Sequence, residues 1–223
     1  MITYEKVLGR LFAESDQEYA AFHKKLLKND AVQVIGVRIP VLRRLAKEWK
    51  GQTEHFLSFP DEYYEITFLK CTLVGALPYD SFIEKLDSVV PLLDNWAVCD
   101  CFTAPCVKKH REEFLAYIQK YLKSDKEFTV RYALVMLLHY YVEDEYLPFI
   151  FDSVENVSLD AYYVMMGAAW LVAETLVKNY EEGLAFLKKN TLPKETHNTA
   201  IRKACESYRV SKEQKLQLKS LRR

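Results

Sequence analysis

Apolar side chains recur at intervals of three and four residues along nearly the whole chain. The clearest stripe lies within about residues 126–141 and consists of Val130, Ala133, Leu134, Leu137, Leu138 and Tyr141. Such spacing places side chains on one face of an α-helix, and the period of two that is typical of strands is nowhere sustained. The pattern predicts helices near residues 4–13, 16–28, 39–50, 62–76, 80–92, 96–108, 111–122, 126–141, 145–154, 160–178, 181–189, 194–208 and 211–221.

Turn-forming residues separate these predicted helices and leave short connections between them. Gly51, Pro78, Asp94-Asn95 and Pro193 are examples. Helix pairs recur every ~35–40 residues, and stacked pairs bury faces that one pair alone would expose. We predict an all-α fold, an α-solenoid of antiparallel helix pairs (HEAT- or armadillo-like) with a concave basic cleft. No Pro- or Ser-rich linker interrupts residues 1–223, so one domain is predicted.

Composition agrees with a helical, well-packed protein. Hydrophobic residues make up 50% of the chain, while only 6 Gly and 7 Pro are present, fewer than a β-sandwich or a Gly-rich nucleotide fold uses. The longest uncharged apolar stretch, Ala161 to Ala173, is shorter than the ~20 residues of a membrane-spanning helix. The first residues lack the pattern of a secretory signal. We expect a cytoplasmic protein that does not enter a membrane.

Charge is balanced in total but uneven along the chain. Lys and Arg number 31, as do Asp and Glu, so the net charge provides no global attraction to nucleic acid. The segment Lys188–Arg223 carries eleven basic and three acidic residues. Within it, Asn198, Arg202 and Arg209 follow near-helical intervals, as expected of residues that track a polynucleotide backbone, and Lys194 and Lys203 belong to the same DNA-binding prediction. A solvated basic helix is the alternative interpretation.

A second basic cluster precedes and fills the predicted helix at 39–50. It contains Arg38, Arg43, Arg44, Lys47 and Lys50 against a single acid, Glu48. Pro40 suits the first turn of a helix, and a helix N-terminus with nearby arginines is typical of an anion site. We predict that Arg38, Arg43 and Arg44 bind DNA phosphates.

Several classes of enzyme lack their usual motifs. The sequence contains no GxGxxG, GxxxxGK[ST], GxSxG or HExxH pattern. The closest cysteines, Cys99, Cys101 and Cys106, have no second pair or histidines at zinc-site spacing, so free thiols are favoured over a thiolate metal site. We expect no metal and no organic cofactor.

Four residues are candidates for chemistry. Trp96 and Asp100 are four residues apart, which places an indole and a carboxylate on one face of a helix beginning near Asn95, a pairing that attracts a cation. Arg131 lies beside the apolar stripe of its helix and could hold a carboxylate or phosphate with two hydrogen bonds. Trp170 follows the small residues Gly167-Ala-Ala, where a ligand can approach closely. In each case a purely structural residue is the alternative interpretation.

Together these segments resemble the AlkD-like family of alkylpurine DNA glycosylases. The resemblance runs from Gly36-Val-Arg-Ile-Pro through Asn95-Trp-Ala-Val-Cys-Asp and Thr129-Val-Arg-Tyr-Ala to the segment ending at Trp170 and the basic C-terminal helix. It implies a HEAT-like monomer that excises cationic N3- or N7-alkylpurines from duplex DNA without a deep base pocket. By position, Asp100 is similar to the catalytic acid, Trp96 and Trp170 to the cleft aromatics, and Arg131 to the cleft arginine.

Three positions depart from the family pattern. Leu27 stands where characterised members carry an aromatic residue, and Met166 and Ala173 stand where they carry basic residues. These departures motivate a second hypothesis, a non-catalytic HEAT-like module that binds branched or bent DNA. A third, a protein-interaction solenoid, rests on the zero net charge alone.

Overall fold

The computed structural model of this protein describes residues 2–27, 29–158 and 160–223, and this part of the chain is all-helical. Helices account for 73% of the residues, fourteen α-helices are described there, and no strand is found among them, which confirms the predicted fold class. Short 3-10 helices occupy Val90–Leu92, Pro105–Lys109 and Asp144–Tyr146. The α-helices are α1 Tyr4–Ala13, α2 Gln17–Leu27, α3 Ile39–Glu48, α4 Thr53–Leu57, α5 Tyr64–Gly75, α6 Tyr79–Val89, α7 Trp96–Cys101, α8 Arg111–Leu122, α9 Glu127–Tyr140, α10 Leu147–Asn156, α11 Tyr162–Lys178, α12 Tyr180–Lys189, α13 Lys194–Glu206 and α14 Lys212–Ser220.

Two helix predictions differ from the structure. The helix predicted over 96–108 ends at Cys101, because Pro105 lacks a backbone N–H and disfavours helical backbone before it. The short helix α4 was not predicted, since five residues show no period. The predicted end of the second helix, Lys28, lies outside the described residues.

Contacts divide the chain into two compact units, Met1–Lys109 and His110–Arg223. Within each unit the helices pack as expected of stacked helix pairs. The single domain expected over residues 1–223 stays a prediction.

In the first unit, α5 is the central helix. It contacts α3, α4, α6 and α7, and its side chains Ile66, Phe68 and Leu69 are fully buried. At its end, a Cβ on Gly75 would collide with the carbonyl oxygen of Thr103, so glycine lets the chain after α7 approach α5 closely.

In the second unit, α11 is the central helix and contacts α9, α10, α12 and α13. It contains most of the apolar stretch Ala161 to Ala173, whose side chains are largely buried, although Tyr162 is exposed and Trp170 is half-buried. None of the helices described is both long and apolar enough to cross a membrane.

Candidate functional site

Helix α7, in the first unit, carries Trp96 and Asp100. Asn95 starts the helix: it is buried, and its side-chain oxygen accepts a hydrogen bond from the Val98 amide at 3.0 Å. The intervening residues 97–99 are buried, whereas Trp96 and Asp100 are half-buried. The indole and the carboxylate therefore share the accessible side of α7, as their spacing predicted.

Helix α2 holds the Trp96 ring and extends its surface. The indole Nε1 donates to the carbonyl of Leu26 over 3.4 Å. Leu26 is 41% exposed and Phe22, one turn earlier, is 61% exposed, while Leu27 is only 1% exposed and belongs to the core. Sequence reasoning considered Leu27 and missed Leu26. The sequence feature that could have identified Leu26 is its four-residue spacing from Phe22 on the polar side of α2.

The backbone just before α3, next to the predicted anion site, is bound by the protein's own carboxylate. Glu65 is fully buried, and its two oxygens accept the backbone N–H groups of Ile35, Gly36 and Val37 at 3.0, 2.8 and 3.2 Å. Burial raises the pKa of Glu65, and these hydrogen bonds oppose the rise. The amides before α3 therefore anchor the loop instead of facing an external phosphate.

The arginines of this region have different partners. Arg38 pairs with Asp16 at 2.7 Å, and its guanidinium lies 4.8 Å from the centre of the Tyr19 ring. Arg44 pairs with Glu14 and Glu48, each at 2.9 Å. Arg43, which is exposed, interacts with the thiol of Cys101, where burial raises the thiol pKa and the arginine opposes the rise.

In the second unit, Arg131 on α9 is more deeply buried than the other three candidates for chemistry, Trp96, Asp100 and Trp170. It is 6% exposed, and its Nη1 donates to the carbonyl of Tyr163 at 2.8 Å, with the guanidinium 5.9 Å from the Tyr163 ring centre. Glu127, at the start of α9, accepts the Tyr163 amide at 2.7 Å. The two charged side chains thus join α9 to the first turn of α11.

Trp170 is half-buried on α11 and lines a cavity of about 280 Å³. Lys203 of α13 lines the same cavity, so the structure brings together two residues predicted from separate motifs. Glu174, also in the lining, binds Arg209 at 3.0 Å. The full lining is Trp170, Ala173, Glu174, Val177, Lys203, Glu206 and Ser207.

The remaining C-terminal candidates lie on α13. Lys194 and Arg202 are exposed. Asn198 donates its amide to the carbonyl of Arg223 at 2.9 Å and accepts the Arg223 N–H at 3.0 Å. Both polar atoms of the Asn198 side chain therefore bind the backbone of Arg223.

The predicted site residues fall in both compact units. Trp96 and Asp100 belong to the first, with Arg38, Arg43 and Arg44, and the others belong to the second. That the four central residues share one groove stays a prediction. All five cysteines are free thiols, and across residues 2–27, 29–158 and 160–223 no three His, Cys, Asp or Glu side chains form a group able to hold a metal ion.

Comparison with known proteins identifies the family. No curated protein matches the chain. The family described as DNA alkylation repair enzyme matches residues 7–208. The match covers most of both units and every predicted site residue except Arg209. This chain belongs to the AlkD-like DNA alkylation repair family.

Proposed function

We propose that this protein is a DNA glycosylase that hydrolyses the N-glycosidic bond of cationic N3- or N7-alkylpurines in duplex DNA. Membership of the family supports a role in alkylation repair. The observation that carries the finer proposal is the accessible face of α7, where the half-buried Trp96 and Asp100 lie one turn apart.

The substrate's own charge explains why a carboxylate suffices. An N3- or N7-alkylated purine is already cationic, so it leaves with the electron pair of the C–N bond as a neutral base and needs no general acid. Positive charge develops on the sugar, and the Asp100 carboxylate stabilises it electrostatically. The same carboxylate orients a water toward the anomeric carbon and accepts its proton, which leaves an abasic site and free base.

The other residues bind and position the nucleotide. The indole faces of Trp96 and Trp170 attract the cationic sugar and base, and the bond from Trp96 to Leu26 orients the first of them. Arg131 holds a phosphodiester, and Arg38, Lys194, Arg202 and Lys203 contribute to backbone binding. The reaction uses no metal, no organic cofactor and no deep base pocket.

Asp100→Asn tests the proposal because it keeps the shape of the side chain and removes its charge. Release of 7-methylguanine or 3-methyladenine from duplex DNA at low ionic strength is measured by chromatography. We expect the rate to fall about 100-fold or more. Asp125→Asn, which removes a charge from an exposed loop, is the matched control and retains the wild-type rate. Unchanged release by the Asp100 variant contradicts the mechanism.

A non-catalytic DNA-binding module is the second candidate function. Ala173 is buried in the wall of the Trp170 cavity, and two carboxylates, Glu174 and Glu206, line it against the single Lys203. With one lysine in its lining, the cavity holds a phosphate weakly. Saturable binding of an unmodified four-way junction, with no base released from any alkylated duplex, favours this function. Absence of DNA binding even at low salt favours a protein-interaction role.

A further inference from the structure

A second, larger cavity lies within the first unit. It is lined by the C-terminal ends of α3 and α5, the residues that follow them, and the segment after α7. Its volume is about 790 Å³, within the ~300–1,000 Å³ range of small-molecule sites. Neither Trp96 nor Asp100 lines it. The lining includes Arg43, Lys47, Lys50, Leu73, Leu77 and Cys101.

One wall of the cavity is strongly cationic. Arg43 and Lys47 are four residues apart on one face of α3, and Lys50 lies in the turn just after this helix. Among the described residues that line the cavity, none is acidic. Arg44, on a neighbouring face of α3, is instead paired with two glutamates, Glu14 and Glu48. The basic cluster predicted from the sequence is thus divided: Arg44 pairs with glutamates, whereas Arg43, Lys47 and Lys50 line this cavity.

The rest of the lining is mainly apolar. Leu73 and Leu77 come from the end of α5 and the turn after it, and Pro105 comes from the segment that follows α7. Thr53, Thr72 and Thr103 also line the cavity, and the Thr72 hydroxyl donates to the carbonyl of Phe68. A ligand that satisfies both parts of the lining carries negative charge at one end and a flat or apolar body at the other.

We propose that this cavity binds a small organic phosphate of mononucleotide size. The phosphate is held by Arg43, Lys47 and Lys50, because arginine and lysine are the side chains that bind phosphate by charge-assisted hydrogen bonds. The ring system lies against Leu73 and Leu77. This site is separate from the excision chemistry, since the residues proposed for catalysis do not line it.

Cys101 provides a built-in reporter for occupancy. It is half-buried in the cavity wall next to Arg43, and Cys205, half-buried in the second unit, is an internal control. The full-length protein is treated with N-ethylmaleimide at increasing concentrations of guanosine 5′-monophosphate, and labelling of each cysteine is followed by peptide mass spectrometry. We expect the nucleotide to slow labelling of Cys101 and to leave Cys205 unchanged.

Two double variants test the role of charge. Lys47→Gln with Lys50→Gln is expected to raise the nucleotide concentration for half-protection about tenfold or more. Lys6→Gln with Lys24→Gln removes the same charge from exposed positions of α1 and α2 and is expected to have no effect. Both pairs are exposed lysines, so the variants are expected to fold.

Three outcomes would overturn the proposal. The first is no protection of Cys101 at millimolar nucleotide. The second is equal protection by guanosine, which lacks the phosphate. The third is protection by duplex DNA alone, which would make the lysines part of a DNA-binding surface. Each outcome is independent of base release by wild type and Asp100→Asn, so failure of either proposal can be recognised separately.

Discussion

Glu65 is the residue on which the position of α3 depends. Its carboxylate lies in the core of the first unit and accepts three consecutive backbone amides just before the helix. A buried carboxylate is tolerated only when its hydrogen-bonding capacity is used, and here these amides supply the partners. The loop that carries Arg38 toward Asp16 is therefore held from inside the protein.

Replacing Glu65 with Gln is expected to destabilise the protein by about 3 kcal/mol. The amide removes the charge from three hydrogen bonds and presents an NH2 group to backbone donors. Urea denaturation measures the change in the free energy of unfolding. Glu62→Gln, at an exposed position, is the control and should stay within about 0.5 kcal/mol of wild type. Equal effects of the two substitutions would contradict the anchoring role.

His197 makes stability depend on pH. Burial lowers the pKa of this side chain below its ordinary value of 6.5, although the Leu221 carbonyl, 2.9 Å from Nε2, opposes the shift. The folded state therefore binds fewer protons than the unfolded state, so this contribution to stability is present above pH 6.5 and is lost as the pH falls below it toward the lower pKa of the folded protein. Burial lowers the pKa of His23 in the same direction.

We expect the midpoint temperature of thermal unfolding to decrease when the pH is lowered from 7.5 to 5.5. His197→Gln should lower the midpoint at pH 7.5, because it loses the hydrogen bonds to Leu221 and Asn190, and should show a smaller fall on acidification. Calorimetry at the two pH values measures both effects. A variant with the full wild-type fall would assign the pH dependence to other groups.

At the scale of elements, short connections and close backbone contacts determine how α5 meets the chain after α7. The contact between Gly75 and the Thr103 carbonyl leaves no room for a side chain, whereas Gly9, exposed in α1, has open space around its Cα. The same substitution is therefore expected to act in opposite directions at these two helical positions.

Gly75→Ala is expected to destabilise the protein by about 2–3 kcal/mol, because a methyl group forces backbone segments apart. Gly9→Ala should instead stabilise it by about 0.5–1 kcal/mol through the higher helix propensity of alanine. Chemical denaturation of both variants compares the signs. A stable Gly75→Ala protein would show that the chain after α7 can move away from α5.

At the scale of the whole molecule, the distribution of charge matters more than its zero sum. Eleven basic and three acidic residues occupy Lys188–Arg223, so the remainder of the chain is correspondingly acidic. DNA binding by such a protein depends on which cations are already neutralised within it. Arg202 is exposed on α13, whereas Arg44 is bonded to two glutamates.

Arg202→Gln is expected to reduce the slope of log affinity for DNA against log salt concentration by about 1, since one fewer phosphate contact releases fewer counterions. Arg44→Gln should leave the slope close to that of wild type. Fluorescence anisotropy over a series of salt concentrations measures both variants. Equal changes in slope would show that the pairs of Arg44 with Glu14 and Glu48 open when DNA binds.

The sequence by itself determined the helices and the face shared by Trp96 and Asp100. Both depend on spacing within a few residues, and hydrogen bonds and apolar stripes of a helix are local, so the pattern of the chain is enough to predict them. The family was also recognisable from short segments in a fixed order. The five-residue helix α4 was missed because it is too short to show a period. The end of α7 was missed because apolar residues continue past it, although Pro105 marks the break in the sequence.

Only the tertiary structure decided which charged and polar groups meet. Arg44 binds Glu14, which is thirty residues away along the chain. Arg131 donates to the Tyr163 carbonyl, thirty-two residues away, and Asn198 binds Arg223, twenty-five residues away. Sequence periodicity shows that a side chain lies on a given face, but not what the packed neighbour presents there. The partners of these side chains, and the cationic wall that Arg43, Lys47 and Lys50 form, follow from how the helices pack within each unit, because charge pairing depends on distances of a few ångströms in space and not on separation along the chain.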